Sequence, residues 1–137
     1  MGKTWAIIEI KDGDCLNELL EVLKNHPDSN YTVATFDHNF GARLEAERPD
    51  IPVYLAEHTK PTEIIHFVRT ARADGIDLNA WVLNPLTYWL AKRRNLEIMV
   101  YTINSRLVAN FIHFFYPDVA ICTDHPERFV PSRVHTT

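Results

Sequence analysis

The sequence is short of the residues that build disulfide frameworks, zinc sites and glycine-rich phosphate loops. Its only two cysteines, Cys15 and Cys122, form no CxxC pair, and its four glycines form neither GxGxxG nor GxSxG. Two isolated thiols are typical of a reduced, cytoplasmic protein. A disulfide-stapled fold, a structural zinc site and a dinucleotide fingerprint therefore have no support, and we expect a cytoplasmic location.

Long apolar runs and an excess of basic residues are also missing. No stretch approaches the ~20 apolar residues that a membrane-spanning helix requires, and the first residues carry no apolar signal core. The net charge is -4, and the longest basic run is residues 92–94. That run falls near a predicted helix end, where cations are stabilising. We therefore expect neither a membrane span nor a nucleic-acid partner.

Strands and helices alternate along the whole chain. Apolar, β-branched runs predict six strands, at residues 5–10, 31–36, 51–55, 76–81, 96–102 and 119–122. The first strand reads as buried on both faces, and Pro52 marks the third as a strand start or a sheet edge. Apolar residues at helical spacing predict the intervening helices, with Asp14 capping the first and Thr59 or Thr62 capping the one at 61–73.

This alternation predicts a single α/β domain over residues 1–137 with a mostly parallel sheet. An open doubly wound sheet and part of a (β/α) barrel both fit the pattern. In either architecture ligands bind beyond the carboxyl ends of the strands. The polar and aromatic residues at those ends are Glu9, Lys11, Asp37, His38, Glu57, His58, Asn79, Trp81, Tyr101, Asn104 and Asp124.

Glu9 is the most informative of these residues because it interrupts the apolar run of residues 7–10. A carboxylate buried in such a strand needs a partner. Lys11 follows two residues later, on the same face of the strand. One interpretation is a structural Glu–Lys pair. The other is a carboxylate for Mg²⁺ or Ca²⁺ beside a lysine for an anionic substrate.

Four segments together resemble one family. They are IEIK (8–11), ATFD (34–37), VYTIN (100–104) and AICTDHP (120–126). In this order and spacing they are similar to the E-x-K, S-F-[DS], W-T-V-N and I-x-T-D-x-P segments of the glycerophosphodiester phosphodiesterases. The last two segments are the most specific. The resemblance runs from about residue 5 to residue 129 and corresponds to strands three to eight of the family's barrel.

The resemblance implies a fold and a site. Family members are TIM barrels of lipid and glycerophosphodiester metabolism that hydrolyse glycerophosphodiesters to glycerol 3-phosphate, using a divalent metal. It implies a partial (β/α) barrel of about six βα units, lacking the first two. Glu9 corresponds to a metal carboxylate for Mg²⁺ or Ca²⁺. Lys11, Tyr101 and Asn104 correspond to substrate-binding positions, with Tyr101 in place of the family's tryptophan.

The same resemblance exposes what the sequence lacks. His-Arg-Gly, Glu-Asn-Thr and Glu-x-Asp, which supply the family's acid/base histidines and two further metal carboxylates, do not occur. The metal site is therefore incomplete and no catalytic residue is assigned, unless His38 or His58 replaces a missing histidine. We expect an N-terminally truncated phosphodiesterase-like protein that is inactive alone, and whether it is an enzyme is left open.

Two alternatives remain at the level of sequence. One is a non-catalytic module that binds a glycerophosphodiester or another phosphorylated small molecule. The other is an oligomeric scaffold. A barrel lacking two strands has open sheet edges, which favours pairing with a second copy or with a complementing chain.

Overall fold

A computed structural model describes residues 5–27, 30–57 and 64–129 and shows one sheet of six parallel strands. The strands lie in the sheet in the order in which they follow along the chain. They are β1 (Trp5–Ile10), β2 (Asn30–Thr35), β3 (Val53–Glu57), β4 (Gly75–Asn79), β5 (Glu97–Tyr101) and β6 (Ala120–Ile121). The sheet curls into a half-barrel with alternating helices, so the partial-barrel prediction is confirmed and the doubly wound alternative is excluded.

The helices of the described residues are α1 (Leu16–Asn25), α2 (His38–Glu47), α3 (Ile64–Thr70), α4 (Pro85–Arg93) and α5 (Arg106–Phe115), with short 3-10 turns at Ala80–Val82 and Pro126–Arg128. Polar side chains cap three of these helices. Asp37 accepts from two amides at the start of α2, Asn84 forms a capping box with Thr87 on α4, and Ser105 caps α5. Each cap satisfies amides that the first helical turn leaves unpaired.

One local prediction is wrong, and one of the two interpretations of Pro52 is confirmed. Cys15, and not Asp14, occupies the N-cap of α1, and no side-chain hydrogen bond is made there. Pro52 precedes an interior strand, because β3 pairs with β2 on one side and β4 on the other; it marks a strand start and not an edge. The predicted caps Thr59 and Thr62 lie outside the described residues.

The hydrophobic core lies between the helices and one face of the sheet. Along β4, the fully buried Ile76 and Leu78 alternate with the half-buried Asp77 and Asn79. Val33, Leu55 and Val100 repeat the buried position on neighbouring strands, where they join the helical residues Phe40, Leu44 and Val68 in one cluster. This alternation places every second strand residue on the inner, concave face of the half-barrel.

Aromatic packing fills one end of the inner face. Tyr54 on β3 donates a hydrogen bond to the carboxylate of Glu97 on β5, across the intervening strand β4. The tyrosine ring lies directly over Gly75, where an added Cβ would come within 2.8 Å of it. A larger residue at this position would displace the ring, so glycine permits the close approach of β3 and β4 here.

The inner face of β1 is open to solvent. Trp5 is 56% exposed and Ile7 is 51% exposed, and in the described part of the chain β1 pairs with β2 alone. The prediction that β1 is buried on both faces is therefore wrong. The apolar run reflects one face packed on α-helices and a second face that no described element covers.

Candidate functional site

The curl of the sheet gathers acidic side chains from distant strands at one end of the inner face. Glu9 of β1 raises the pKa of Asp77 on β4, although two strands separate them in the sheet. The carboxylates of Asp77, Glu57 and Glu9 also add, after burial, to the raised pKa of Tyr101. We call Glu9, Glu57, Asp77, Tyr101 and Asp124, which lie within or just after β1 and β3 to β6, the strand-end mouth.

Glu9 and Lys11 form the pair that their spacing predicts. Lys11 Nζ lies 3.8 Å from Glu9 Oε1, and the two side chains are 80% and 49% exposed, respectively. The expectation of a buried carboxylate is thus wrong, because the inner face of β1 is open. An exposed ion pair at this distance contributes little to stability, so it leaves the Glu9 carboxylate able to exchange Lys11 for another cation.

Asp77 is the functional candidate that the sequence reasoning missed. Its side chain is largely buried, and its Oδ1 atom has no hydrogen-bond partner among the described residues. Burial, and then the charge of Glu9, raise its pKa to about 7. The signal was present in the sequence: Asp77 stands between Ile76 and Leu78, just as Glu9 stands between two isoleucines.

Tyr101 is held at the mouth by its hydroxyl group, which donates to the backbone carbonyl of Glu57 at 3.1 Å. Burial, and then the charges of Asp77, Glu57 and Glu9, raise the pKa of Tyr101 to about 12. The phenol is therefore neutral across the physiological range. It can offer a ligand a hydrogen-bonding oxygen and an aromatic wall, but no charge.

Asn104 joins the loop after β5 to the loop after β6. Its Nδ2 donates to Asp124 Oδ2 at 3.0 Å, and its Oδ1 accepts from Thr123 Oγ1 at 3.1 Å and from the Asp124 amide at 3.0 Å. Arg128 Nη1 donates to the Asn104 carbonyl at 3.0 Å. Because an amide nitrogen carries two hydrogens, at most one of them is left for a ligand.

The remaining strand-end residues have other surroundings. The Asp37 carboxylate accepts hydrogen bonds from the backbone amides of Asn39 and Phe40. His38 is the exposed first residue of α2, with its ring 5.5 Å from that of Phe67. His58 lies outside the described residues.

A cleft of about 830 Å³ adjoins the mouth on the side of α5. Asn79, Tyr101 and Asn104 line the end where the cleft meets the strand ends. Beyond them its walls are mainly apolar and include Leu83, Ile103, Val108, Phe111, Ile112 and Tyr116. We call this space the α5 cleft.

The described residues hold no group of three or more histidine, cysteine, aspartate or glutamate side chains placed to bind one metal ion. A calcium site usually takes six or more oxygen ligands, which the mouth does not offer. Magnesium is commonly held by one or two carboxylates together with water and substrate phosphate. Glu9 and Asp77, with its unpartnered Oδ1, fit that smaller requirement. None of the described helices has the length and apolar character needed to cross a membrane.

Replacing Asp77 with asparagine is expected to stabilise the protein at pH 8 by about 1–2 kcal/mol, less than the full pKa shift implies because solvent screens part of the side chain. Between pH ~4 and ~7 the folded state binds more protons than the unfolded state, so wild-type stability falls as pH rises. The stability that Asp77→Asn gains over the wild type should therefore increase as pH rises through this window and should vanish at lower pH. Urea unfolding measured at several pH values checks this.

Asp50→Asn is the control of opposite sign. The hydrogen bond from Arg48 lowers the pKa of Asp50, so its removal should bring no gain in stability at pH 8. An equal difference in stability between wild type and Asp77→Asn at pH 4 and pH 8 would show that Asp77 is not held in a desolvated, negative environment.

Comparison with solved structures identifies the same architecture in larger proteins. A protein from Silicibacter pomeroyi assigned as a glycerophosphoryl diester phosphodiesterase superposes with a TM-score of 0.71 at 16% identity, covering 90% of this chain and 48% of its own. A glycerophosphodiester phosphodiesterase from Parabacteroides distasonis gives 0.69 at 18% identity, with 89% and 54% covered.

An Oleispira antarctica phosphodiesterase, solved in complex with the product sn-glycerol-3-phosphate, gives a TM-score of 0.66 at 16% identity, covering 85% of this chain and 47% of that one. No protein-family model matches the sequence, and no curated protein does. At these identities the likeness concerns the fold, and the chain spans about half the length of the structures it matches. The chain thus has the fold of roughly half of a glycerophosphodiester phosphodiesterase barrel.

Proposed function

We propose that this chain is the phosphate-binding part of a glycerophosphodiester phosphodiesterase-like barrel, and that by itself it binds a phosphorylated glycerol ligand without hydrolysing glycerophosphodiesters. The observation that carries the proposal is the meeting of Glu9, Asp77 and Tyr101 at one strand-end mouth. Ligands of (β/α) barrels bind at this end of the strands. The glycerol 3-phosphate bound by the Oleispira antarctica protein supports the ligand class.

The charge of the mouth requires a cation besides Lys11. Carboxylates of Glu9, Glu57 and Asp77 act together on Tyr101, whereas Lys11 is the lysine paired with Glu9. A phosphate brought to such a site meets net repulsion. We therefore include a divalent cation, Mg²⁺ in preference to Ca²⁺, held by Glu9 and Asp77. When bound, it would cancel negative charge and orient the phosphate.

The chain's own residues then have distinct binding roles. Lys11, 80% exposed on its flexible stem, reaches the phosphate as a charged donor. Tyr101 supplies a neutral aromatic wall. Asn104 supplies the side-chain amide hydrogen that is not donated to Asp124. Asp77 also becomes more acidic once a cation lies beside it, because positive charge favours the carboxylate.

Hydrolysis needs a proton carrier within hydrogen-bond reach of the reacting oxygen, and none is assigned in this polypeptide. The acid/base groups would come from a separate stretch of polypeptide that completes the barrel beside β1 and β6. Whether a second copy or another chain does so stays a prediction, as does the alternative role as an oligomeric scaffold. The exposed inner-face residues Trp5 and Ile7 favour covering of this edge.

Glycerol 3-phosphate is expected to bind the purified protein in the presence of Mg²⁺ and to bind much more weakly in the presence of a chelator. Lys11→Ala should weaken binding by about tenfold or more, since a hydrogen bond to a charged group contributes roughly 1.5–3 kcal/mol. Isothermal titration calorimetry measures both effects. Lys24→Ala, which removes an exposed lysine from the last turn of α1, is the matched control. Absence of heat and of any thermal shift at millimolar ligand with Mg²⁺ present would refute the proposal.

Glycerophosphocholine is expected to stay intact when it is incubated with the purified polypeptide and either Mg²⁺ or Ca²⁺, because the acid/base groups are lacking. Choline release measured over hours checks this. Turnover that Lys11→Ala reduces would contradict inactivity, and its loss in His38→Ala would identify His38 as a replacement catalytic histidine.

A further inference from the structure

The α5 cleft adjoins the strand-end mouth. Tyr101 belongs to both, because its hydroxyl group donates to the Glu57 carbonyl at the mouth and the residue also lines the cleft. Asn79, the register partner of Tyr101 on β4, and Asn104 border the cleft at the same end. A ligand whose phosphate lies at the mouth therefore has a direct path into the cleft.

We propose that the α5 cleft binds the aliphatic chain of a phosphate-bearing ligand, so that the ligand class is a monoacylglycerol phosphate or a phosphodiester of one. This inference rests on the proposed function, because the phosphate is taken to occupy the strand-end mouth. It adds a second subsite to that function and narrows the ligand from a small water-soluble phosphate to an amphiphile with one chain.

The size of the cleft supports an occupant larger than glycerol phosphate. Its volume of about 830 Å³ lies in the upper part of the ~300–1,000 Å³ range of small-molecule sites. A phosphorylated glycerol has no apolar part with which to cover Val108, Phe111 or Ile112. Water against these walls is unfavourable, and displacing it with methylene groups contributes affinity in proportion to the buried area.

The chemistry of the lining supports an uncharged occupant. The cleft is lined by asparagine, serine, threonine, alanine, aliphatic, tryptophan, phenylalanine and tyrosine residues, and none of them is charged at neutral pH. A second charged group placed in the cleft would lose hydration without gaining a partner, whereas an alkyl chain loses nothing.

Two aromatic residues of the lining provide an apolar exit for a longer chain. Phe111 is 63% exposed and Trp81 is 93% exposed. Aromatic side chains of this kind cover large apolar area at little entropic cost. A chain longer than the cleft can therefore continue along these rings without meeting a charged side chain of the lining.

The test is a series of glycerol 3-phosphate derivatives carrying butanoyl, hexanoyl or octanoyl chains, each titrated into the protein with Mg²⁺ below its micelle concentration. Affinity should rise with chain length, by up to about fourfold per fully buried methylene and by at least about tenfold from butanoyl to octanoyl. Glycerol 3-phosphate itself provides the value without a chain.

Val108→Trp fills the cleft from the exposed side of α5 and should flatten the dependence on chain length, while leaving the affinity for glycerol 3-phosphate unchanged. Leu107→Trp makes the same change one residue earlier, at a position that is 80% exposed and outside the lining, and should keep the full dependence. Thermal unfolding of both variants verifies that they fold. Val108→Ala, which enlarges the cleft, gives a second variant and should lower octanoyl affinity more than butanoyl affinity.

The outcomes separate the two proposals. Binding of glycerol 3-phosphate with no gain from the acyl chain would overturn the cleft assignment and leave the proposed function intact. Binding of plain octanoate, together with no binding of glycerol 3-phosphate, would overturn the proposed function. An equal rise of affinity with acyl chain length in wild type and Val108→Trp would show that the chain binds elsewhere. It would also overturn the cleft assignment.

Discussion

The electrostatic repulsion between Glu9 on β1 and Asp77 on β4 is the interaction on which the functional account depends. Two strands lie between them in the sheet, and a flat sheet would hold their carboxylates far apart. The curl brings them to one mouth, where the Glu9 charge raises the pKa of Asp77. A ligand at this end of the sheet therefore meets groups from both halves of the chain.

The two faces of the sheet have opposite roles. The outer face is packed: Val33, Ile76, Leu78 and Val100 are completely shielded from solvent in the helix-covered core. This packing is what fixes the strands in place. The inner face holds few apolar anchors and is open along β1, so its polar groups are available to a cation, a phosphate or a complementing segment. The packing that stabilises the fold and the groups proposed to bind a ligand thus lie on opposite sides of the same strands.

Much of the fold could be predicted from the sequence because its local signals agree with one another. Short β-branched runs predicted the six strands, and helical apolar spacing predicted the helices between them. The exposure of β1 could not be predicted, since a short apolar run looks the same whether both faces are covered or one is open. The neighbours of a strand in space, which the sequence does not state, decide that question.

The candidate site was predictable in part. The pairing of Glu9 with Lys11 follows from alternation along a strand, and Tyr101 ends β5 as the strand-end reasoning expected. Asp77 was missed because it lies inside β4 and not at its end, and only the curl of the sheet directs it toward Glu9. The α5 cleft was also beyond sequence reasoning, because its walls come from β5, α5 and the turn after β4.

The most direct test of the central claim is the pKa of Asp77, measured by carbonyl carbon NMR in the wild type and in Glu9→Gln. The account predicts a value of about 7 in the wild type and a lower value in the variant, because one nearby negative charge is gone. Part of the elevation should remain, since burial is its larger cause. An identical pKa in the two proteins would contradict the claim that the curl brings these carboxylates together.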